Sequence, residues 1–349
     1  MATSTSAALR QFASSACAAA LCLLASAAHA GPTLDGVRAR DAVRCGTSSG
    51  ILGFSALNSA SGRWEGLDVD VCRAVAAAVL GSGDKVEFVP LRLEERIPML
   101  SAGRIDILSY NTAFTMARDA TMGIKATVVT YYDGQGFLVP VASKIRSTRQ
   151  LVNRRICVTT TGSSEQTLAE YVAANRTGMT VLKFARFGDA ADAYLAGLCT
   201  ALSADATSLA LVRRVRTAAT QGHAILPELI SKEPLGPLIR RGDDAWDSIV
   251  KWVVRGLIAA EEHGVTQANA QQQADSSTNS EVRRMLGQSA DTGKLIGLDR
   301  AWLLRAIQAT GNYGEIFARN VGPDSALGLP RGLNAQWLHG GLQYALPIR

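Results

Sequence analysis

The chain has 349 residues, with 36 Lys and Arg against 30 Asp and Glu, a net charge of +6. That length exceeds one ordinary hydrophobic core and implies two domains. The basic residues are dispersed as pairs, such as Arg154-Arg155, Arg213-Arg214 and Arg240-Arg241, rather than clustered with aromatics, which argues against a nucleic-acid partner.

The first thirty residues read as a cleavable leader. Arg10 supplies the positive start, "FASSACAAALCLLASAA" the apolar run, and "AHA" before Gly31 a small-residue cleavage site after Ala30. The run is short and alanine-rich for a membrane span. Neither Cys17 nor Cys22 sits in a lipobox, so the expectation is a soluble, exported chain.

From Gly31 onward strands and helices alternate. "AVRCGTS" reads as a strand, "GLDVDVCRAVAAAVLG" as a helix ended by Gly81, and "KVEFVPL" as a strand. "LEERIPMLSAGR" reads as a helix and "IDILSY" as a strand. This βαβ pattern predicts a mainly parallel sheet covered by helices. "VTYYDGQGFLVPV" is extended and glycine-bearing. The pattern then restarts with "RRICVTT", "SSEQTLAEYVAAN", "TVLKFA", "GDAADAYLAG", "TALSAD" and "SLALVRRVRTAAT" as alternating strands and helices. A second extended stretch, "AILPELISKEPLGPLIRR", precedes a long helix in "DDAWDSIVKWVVRGLIAAEEHG", capped by Asp243 and ended by Gly264. "QANAQQQADSSTNS" reads as a loop or frayed helix, and the tail from Asp299 as helical, then irregular. Two αβ units joined by two extended segments predict two lobes. Residues 31–136 and 230–349 form the first, and 137–229 the second, with a cleft between.

Beyond the leader, four cysteines remain: Cys45, Cys72, Cys157 and Cys199. In an exported chain an even number reads as disulfides, and four allow three pairings. Cys45–Cys72 and Cys157–Cys199 are favoured because each pair then lies within one lobe. No CxxC occurs, and His223, His263 and His339 are the remaining histidines, so a zinc site is not expected.

Open α/β sheets bind ligands beyond the carboxyl ends of their strands. After "IDILSY" comes "NTAFTMARD", in which Thr115 caps a helix and Arg118 sits in its first turn. A cation there opposes the helix dipole unless an anion meets it, and a guanidinium grips a carboxylate through two hydrogen bonds. Asn111, Thr112 and Ala113 lead into it. After "RRICV", Gly162, Ser163 and Ser164 present amides and hydroxyls, with Ser163 and Gln166 spaced as a capping box. After "ALSA", Asp205 offers a carboxylate to an ammonium group. Phe54 follows the first strand, where it packs in the core or against a ligand. Cation, amide donors and acid together match an α-amino acid. No general acid, base or nucleophile stands out; the stretch "TTGSSEQ" does not read as GxSxG, GxxxxGK[ST] is absent, and no catalytic role, cofactor or metal is expected.

With these residues in place, the chain resembles the periplasmic solute-binding proteins of polar amino-acid ABC transporters, solute-binding family 3, and within it the general L-amino-acid-binding subgroup. "GLDVDVCRAVAAAVLG", "TYYDGQGFLV", "ISKEPLGPLIRRGDD", "GVTQAN", "GNYGEIFARNVGP", "RGLNAQW" and "GGLQYALPIR" carry the resemblance in order along the whole chain after the leader. It implies an α/β, two-lobe periplasmic-binding-protein (venus-flytrap) fold, type II-like, with two crossover hinge strands. It implies capture of an L-amino acid or close analogue, and delivery to ABC permease subunits in the inner membrane. By resemblance, Arg118 is the carboxylate-binding arginine and Ser163 and Ser164 the second-lobe hydroxyls. Asp205 takes the α-ammonium, Leu93 and Phe54 line the side-chain pocket, and the cysteines stand where the subgroup has them. Ala113 replaces a usual threonine, Tyr110 an arginine and Thr200 an aspartate, and the turn at Thr161-Gly162 is altered. The enzymatic alternative is a periplasmic lyase on this scaffold, such as a cyclohexadienyl dehydratase.

Overall fold

The structure is a computed structural model that describes residues 31–48, 50–160, 163–216 and 222–349. The expected leader with its cleavage after Ala30, and the turn residues Thr161 and Gly162, lie outside the described residues.

Short apolar runs become strands. The first part of the chain contributes β1 (Val43–Thr47), β2 (Gly50–Ile51), β3 (Ser55–Leu57), β4 (Trp64–Glu65), β5 (Val86–Pro90), β6 (Ile107–Leu108) and β7 (Ile124–Ala126). Then come β8 (Tyr131–Asp133), β9 (Gln135–Pro140), β10 (Arg155–Thr159), β11 (Thr180–Phe184) and β12 (Ala201–Asp205). β13 (His223–Ile225), β14 (Glu233–Leu235) and β15 (Leu238–Arg240) complete the set.

Two five-stranded sheets result, in the orders β5-β1-β6-β15-β7 and β11-β10-β12-β9-β13. In the first, β5, β1 and β6 run parallel, because the helices Leu67–Leu80 and Arg96–Ser101 cross over between them. β15 returns antiparallel between β6 and β7. The second sheet repeats the scheme: β11, β10 and β12 are parallel, linked by the helices Ser164–Asn175 and Phe187–Leu195. β9 and β13 are antiparallel. The chain passes between the sheets twice, through β8 and β14, which pair antiparallel with Asp133 opposite Glu233 and Tyr131 opposite Leu235. This is the two-lobe periplasmic-binding arrangement, with the crossing strands as its hinge.

The long helix Asp244–Glu262 buries Trp246, Ile249, Val250, Val253, Val254 and Leu257, a stripe at helical spacing, in the first-lobe core, packed on the helices Leu67–Leu80, Trp302–Thr310 and Tyr313–Asn320. Asp243 caps it by accepting from the Trp246 backbone N–H at 3.0 Å. The Trp246 indole N–H donates to the Asp106 carbonyl at 2.9 Å, which ties this helix to the approach of β6. Disulfides join Cys45 of β1 to Cys72 of the helix Leu67–Leu80, and Cys157 of β10 to Cys199, with Cα separations of 6.3 and 5.7 Å. These are the two pairings favoured above.

Of the two readings open for "QANAQQQADSSTNS", the helical one holds: it forms the helix Ala270–Ser276 and feeds the helix Ser280–Met285, because Ala270 and Ala274 bury against the core. Two local expectations are corrected. Among the described residues, the helix expected over "SLALVRRVRTAAT" is α-helical over Ala206–Leu211 and passes into a wider π-type turn over Val212–Arg216; its last four residues, 217–220, lie outside the described residues. The strand "IDILSY" is two residues long, because the polar residues after it turn aside to a buried carboxylate described below.

Past the helix Tyr313–Asn320, the tail runs back across the first lobe. The Asn334 carboxamide accepts from the Tyr132 N–H at 2.7 Å and donates to the Tyr132 carbonyl at 3.0 Å. One side chain thus satisfies both backbone groups of a hinge residue.

Candidate ligand-binding site

Between the lobes lies a cavity of about 690 Å³. Its first-lobe wall is built from Asp68 outward. Gly66, at φ +134°, starts the helix Leu67–Leu80 so close to Phe54 that a Cβ there would meet the Phe54 carbonyl at 2.0 Å. This close approach places Asp68 beneath the end of β6. The Asp68 carboxylate accepts from the Ser109 hydroxyl and the Asn111 N–H, each at 2.7 Å. Asn111 adopts the left-handed region, φ +48°, and turns the chain toward the cleft. Ala113 then bridges to Leu235, and the Phe114 N–H donates to the Pro234 carbonyl at 2.8 Å, so the segment is pinned to a hinge strand.

Thr115 caps the helix Met116–Thr121, accepting from the Arg118 N–H at 3.3 Å. The Arg118 guanidinium folds back to donate to the Ala113 carbonyl at 2.6 Å and lines the cavity. Its sequence neighbour Asp119 pairs with Arg241 instead, at 3.4 Å. Among the described residues, no carboxylate lies within salt-bridge distance of Arg118.

The second lobe presents Ser163, Gln166, Asp205, Thr207 and Ser208, and the hinge adds Asp133, Lys232 and Glu233. Asp205 precedes the helix Ala206–Leu211 but its side chain caps nothing. Burial raises its pKa. Asp133 accepts from the Thr207 hydroxyl at 2.7 Å and the Gly134 N–H at 2.8 Å, yet burial, reinforced by the charge of Asp205, pushes it up to about 7. Burial and Asp205 raise Glu233 as well. Three acids thus crowd one side of the cavity, and each is easier to ionise when a cation enters.

The structure brings Arg118, Ser163, Asp205, Asn111, Ala113 and Leu93 to this cavity. Thr112 is buried behind its wall, with its hydroxyl accepting from Arg96 at 3.2 Å. The Ser164 carbonyl accepts from the Gln135 side chain at 2.9 Å, and Ser164 is not in the cavity lining. Of the two places open to Phe54 it takes the core one, not the side-chain-pocket place that the resemblance implies: it is 1% exposed in the first-lobe core, edge-on to Tyr131 at 5.2 Å. The capping box at Ser163 does not form; Gln166 donates to Glu170 instead. Sequence reasoning missed Arg96, Asp133, Lys232 and Glu233. A signal existed for Arg96, which follows the strand β5, and for Asp133, which lies in a crossing segment.

The sequence model for bacterial extracellular solute-binding proteins, family 3, matches residues 43–320. The chain belongs to this family. This family 3 protein is 45% identical over 330 residues to the glutamate/glutamine/aspartate/asparagine-binding protein BztA of Rhodobacter capsulatus, with 95% of this chain and 97% of that one covered. It is 44% identical to the general L-amino acid-binding periplasmic protein AapJ of Rhizobium johnstonii, over 95% and 97% of the two chains. Among solved structures, an ABC transporter periplasmic binding protein from Brucella ovis with glutathione bound is 43% identical. It superposes with a TM-score of 0.81 over 92% of this chain and 100% of that one.

Proposed function

We propose that the protein is the periplasmic amino-acid-binding component of an ABC transporter. It captures an L-amino acid or close analogue by closing its lobes and delivers it to permease subunits in the inner membrane. The lobes in this reading are residues 31–136 with 230–349, and residues 137–229. The leader is removed after Ala30 on export. The observation that carries the reading is the separation of charge across the cavity: among the described residues, no carboxylate lies within salt-bridge distance of Arg118 on one lobe and no cation within salt-bridge distance of Asp205 on the other. A zwitterion bridges them, its carboxylate on Arg118 and Ser163 and its ammonium on Asp205. Both contacts exist together only when the lobes close, so the ligand shifts the population toward the closed form. The relatives' names support an amino-acid ligand. A thermal-shift screen of the mature chain against the common L-amino acids tests it. Stabilisation by one or more, with calorimetric 1:1 binding, is expected; no stabilisation by any would overturn it.

The lyase alternative has one observation in its favour: Asp133, with a pKa near 7, is a general acid poised for neutral pH inside the cavity. Incubation with prephenate or arogenate separates the two readings, because only a lyase changes the product absorbance.

A further inference from the structure

The tail of the chain is folded inside out. "RGLNAQW" and "GGLQYALPIR" have no part in the inter-lobe cavity. A bridge between Gln336 and Gln343 brings them together, with the Leu342 N–H donating to the Leu333 carbonyl at 2.8 Å and the Trp337 N–H to the Gln343 carbonyl at 2.9 Å. Side chains alternate inward and outward along both. The inward positions hold carboxamides: Asn334, Gln336 and Gln343 are buried. Asn334 holds both backbone groups of Tyr132, and Gln343 donates to the Tyr313 hydroxyl at 3.1 Å. The outward positions hold Leu333, Trp337, Leu342 and Tyr344, and Leu338 joins them from the short turn Trp337–His339. These five are 45–61% exposed, and the Trp337 and Tyr344 rings meet at 5.3 Å.

The arrangement is held in place. Turning the leucines and aromatics inward would strand the carboxamides of Asn334 and Gln343, whose desolvation would then go uncompensated. Glu262 fastens the same segment to the long helix by accepting from the Trp337 indole N–H at 3.1 Å. Together the five side chains leave on the order of 500 Å² of apolar surface in water, the upper part of the range for the largest patch on a monomer (roughly 300–600 Å²). None of the five carries a charge, and beside them Arg331 is neutralised by Glu261 at 2.9 Å.

We propose that this patch is the contact face of a homodimer, with one tail laid on another across a twofold axis. A second copy brings the same uncharged surface, so the contact presses no like charges together. Two copies remove about 1,000 Å² from water, the size at which a specific interface becomes stable. The patch lies wholly on the first lobe, so closure of the lobes leaves its shape unchanged. A permease that reads the closed state needs surface from both lobes, and this face does not supply it.

Sedimentation velocity of the mature chain at neutral pH, over about 1–100 μM, is the test. The wild type should pass from monomer to dimer within this range. Added salt should tighten the dimer, because two copies of the same net positive charge repel at long range. Leu338→Asp sets a carboxylate within the patch on both copies and should weaken the dimer at least about 30-fold; Leu342→Asp should do the same. Both residues are exposed, so melting of the dilute protein should match wild type in each variant. Val152→Asp, at an exposed apolar residue of the second lobe, should leave the dimer as it is. A wild type that stays monomeric throughout would overturn the proposal, as would a dimer that persists in both tail variants or dissociates in salt. So would a monomer that floats with vesicles of phosphatidylethanolamine and phosphatidylglycerol and loses them on Leu338→Asp, since the patch would then face a lipid surface.

Discussion

Replacing Arg118 by alanine separates a binding role from a structural one. Its guanidinium makes one internal hydrogen bond, to the Ala113 carbonyl at 2.6 Å, and no carboxylate lies within salt-bridge distance of it among the described residues. Removing a half-buried bond of this kind costs about 1 kcal/mol. Relief of repulsion with Arg96 offsets part of that, so thermal stability should change little. Binding should change far more. Truncating one partner of a desolvated, hydrogen-bonded charge pair costs about 2–5 kcal/mol, or about 30-fold to several thousand-fold in Kd. Arg118→Lys retains the charge and loses the second hydrogen bond, and should fall about tenfold short of wild type. Calorimetry with the tightest ligand from the amino-acid screen, alongside thermal unfolding of each variant, measures both quantities. An Arg118→Ala protein that binds within threefold of wild type would refute the assignment. One that unfolds in parallel with its loss of binding would recast the arginine as structural.

The buried acids give the protein a pH dependence. Burial raises Asp68 to about 6, and burial with the charge of Asp205 raises Asp133 to about 7. Both exceed the unfolded-chain value, so the native state holds more protons between about pH 4 and pH 7, and ligand-free stability should fall as pH rises through that window. Melting curves at pH 5 and pH 7.5 check the sign. A bound ammonium beside Asp205 and Asp133 draws the Asp133 proton off, so affinity should weaken below about pH 7. Calorimetry in buffers of different ionisation enthalpy should show proton release, and pH-independent binding would count against the acid cluster as the ammonium site. Asn334→Ala removes two hydrogen bonds to the hinge residue Tyr132. It should cost about 1–3 kcal/mol of stability and weaken binding although Asn334 lies outside the cavity; unchanged melting and affinity would show that the tail does not brace the hinge. The Cys157–Cys199 bridge spans 42 residues, and breaking it by Cys199→Ser should cost about 4 kcal/mol. A melting point unchanged from wild type would contradict that loop-closure account.

Much of the architecture was legible because local signals agreed with the global fold. Gly81 ends the helix Leu67–Leu80 in a left-handed turn, Asp243 caps the long helix, and Thr115 caps the helix carrying Arg118, all as their sequence positions predict. Each depends on contacts within a few residues. Where a contact crosses the fold, the sequence left alternatives open or misplaced a boundary. The helix Ala270–Ser276, one of two readings there, is held by alanines buried on neighbouring helices, Phe54 takes the core place of its two because Tyr131 draws it inward, and the strand β6 is cut shorter than expected by Asp68 from another element.

The same division holds for the cavity. Alternation of strand and helix, and the chemistry of the residues just past each strand, are properties of order along the chain; Arg118, Ser163 and Asp205 could be singled out from that order alone. Which charges are already neutralised is a property of distances between residues far apart in sequence. Only the folded chain showed that Asp119 is taken by Arg241 and that Glu94 and Glu95 are taken by Arg92. Only the fold sets Asp133 beside Asp205. Coulomb interaction depends on separation in space and on the water excluded around it, so the ligand's charge pattern was written in three dimensions and not in one.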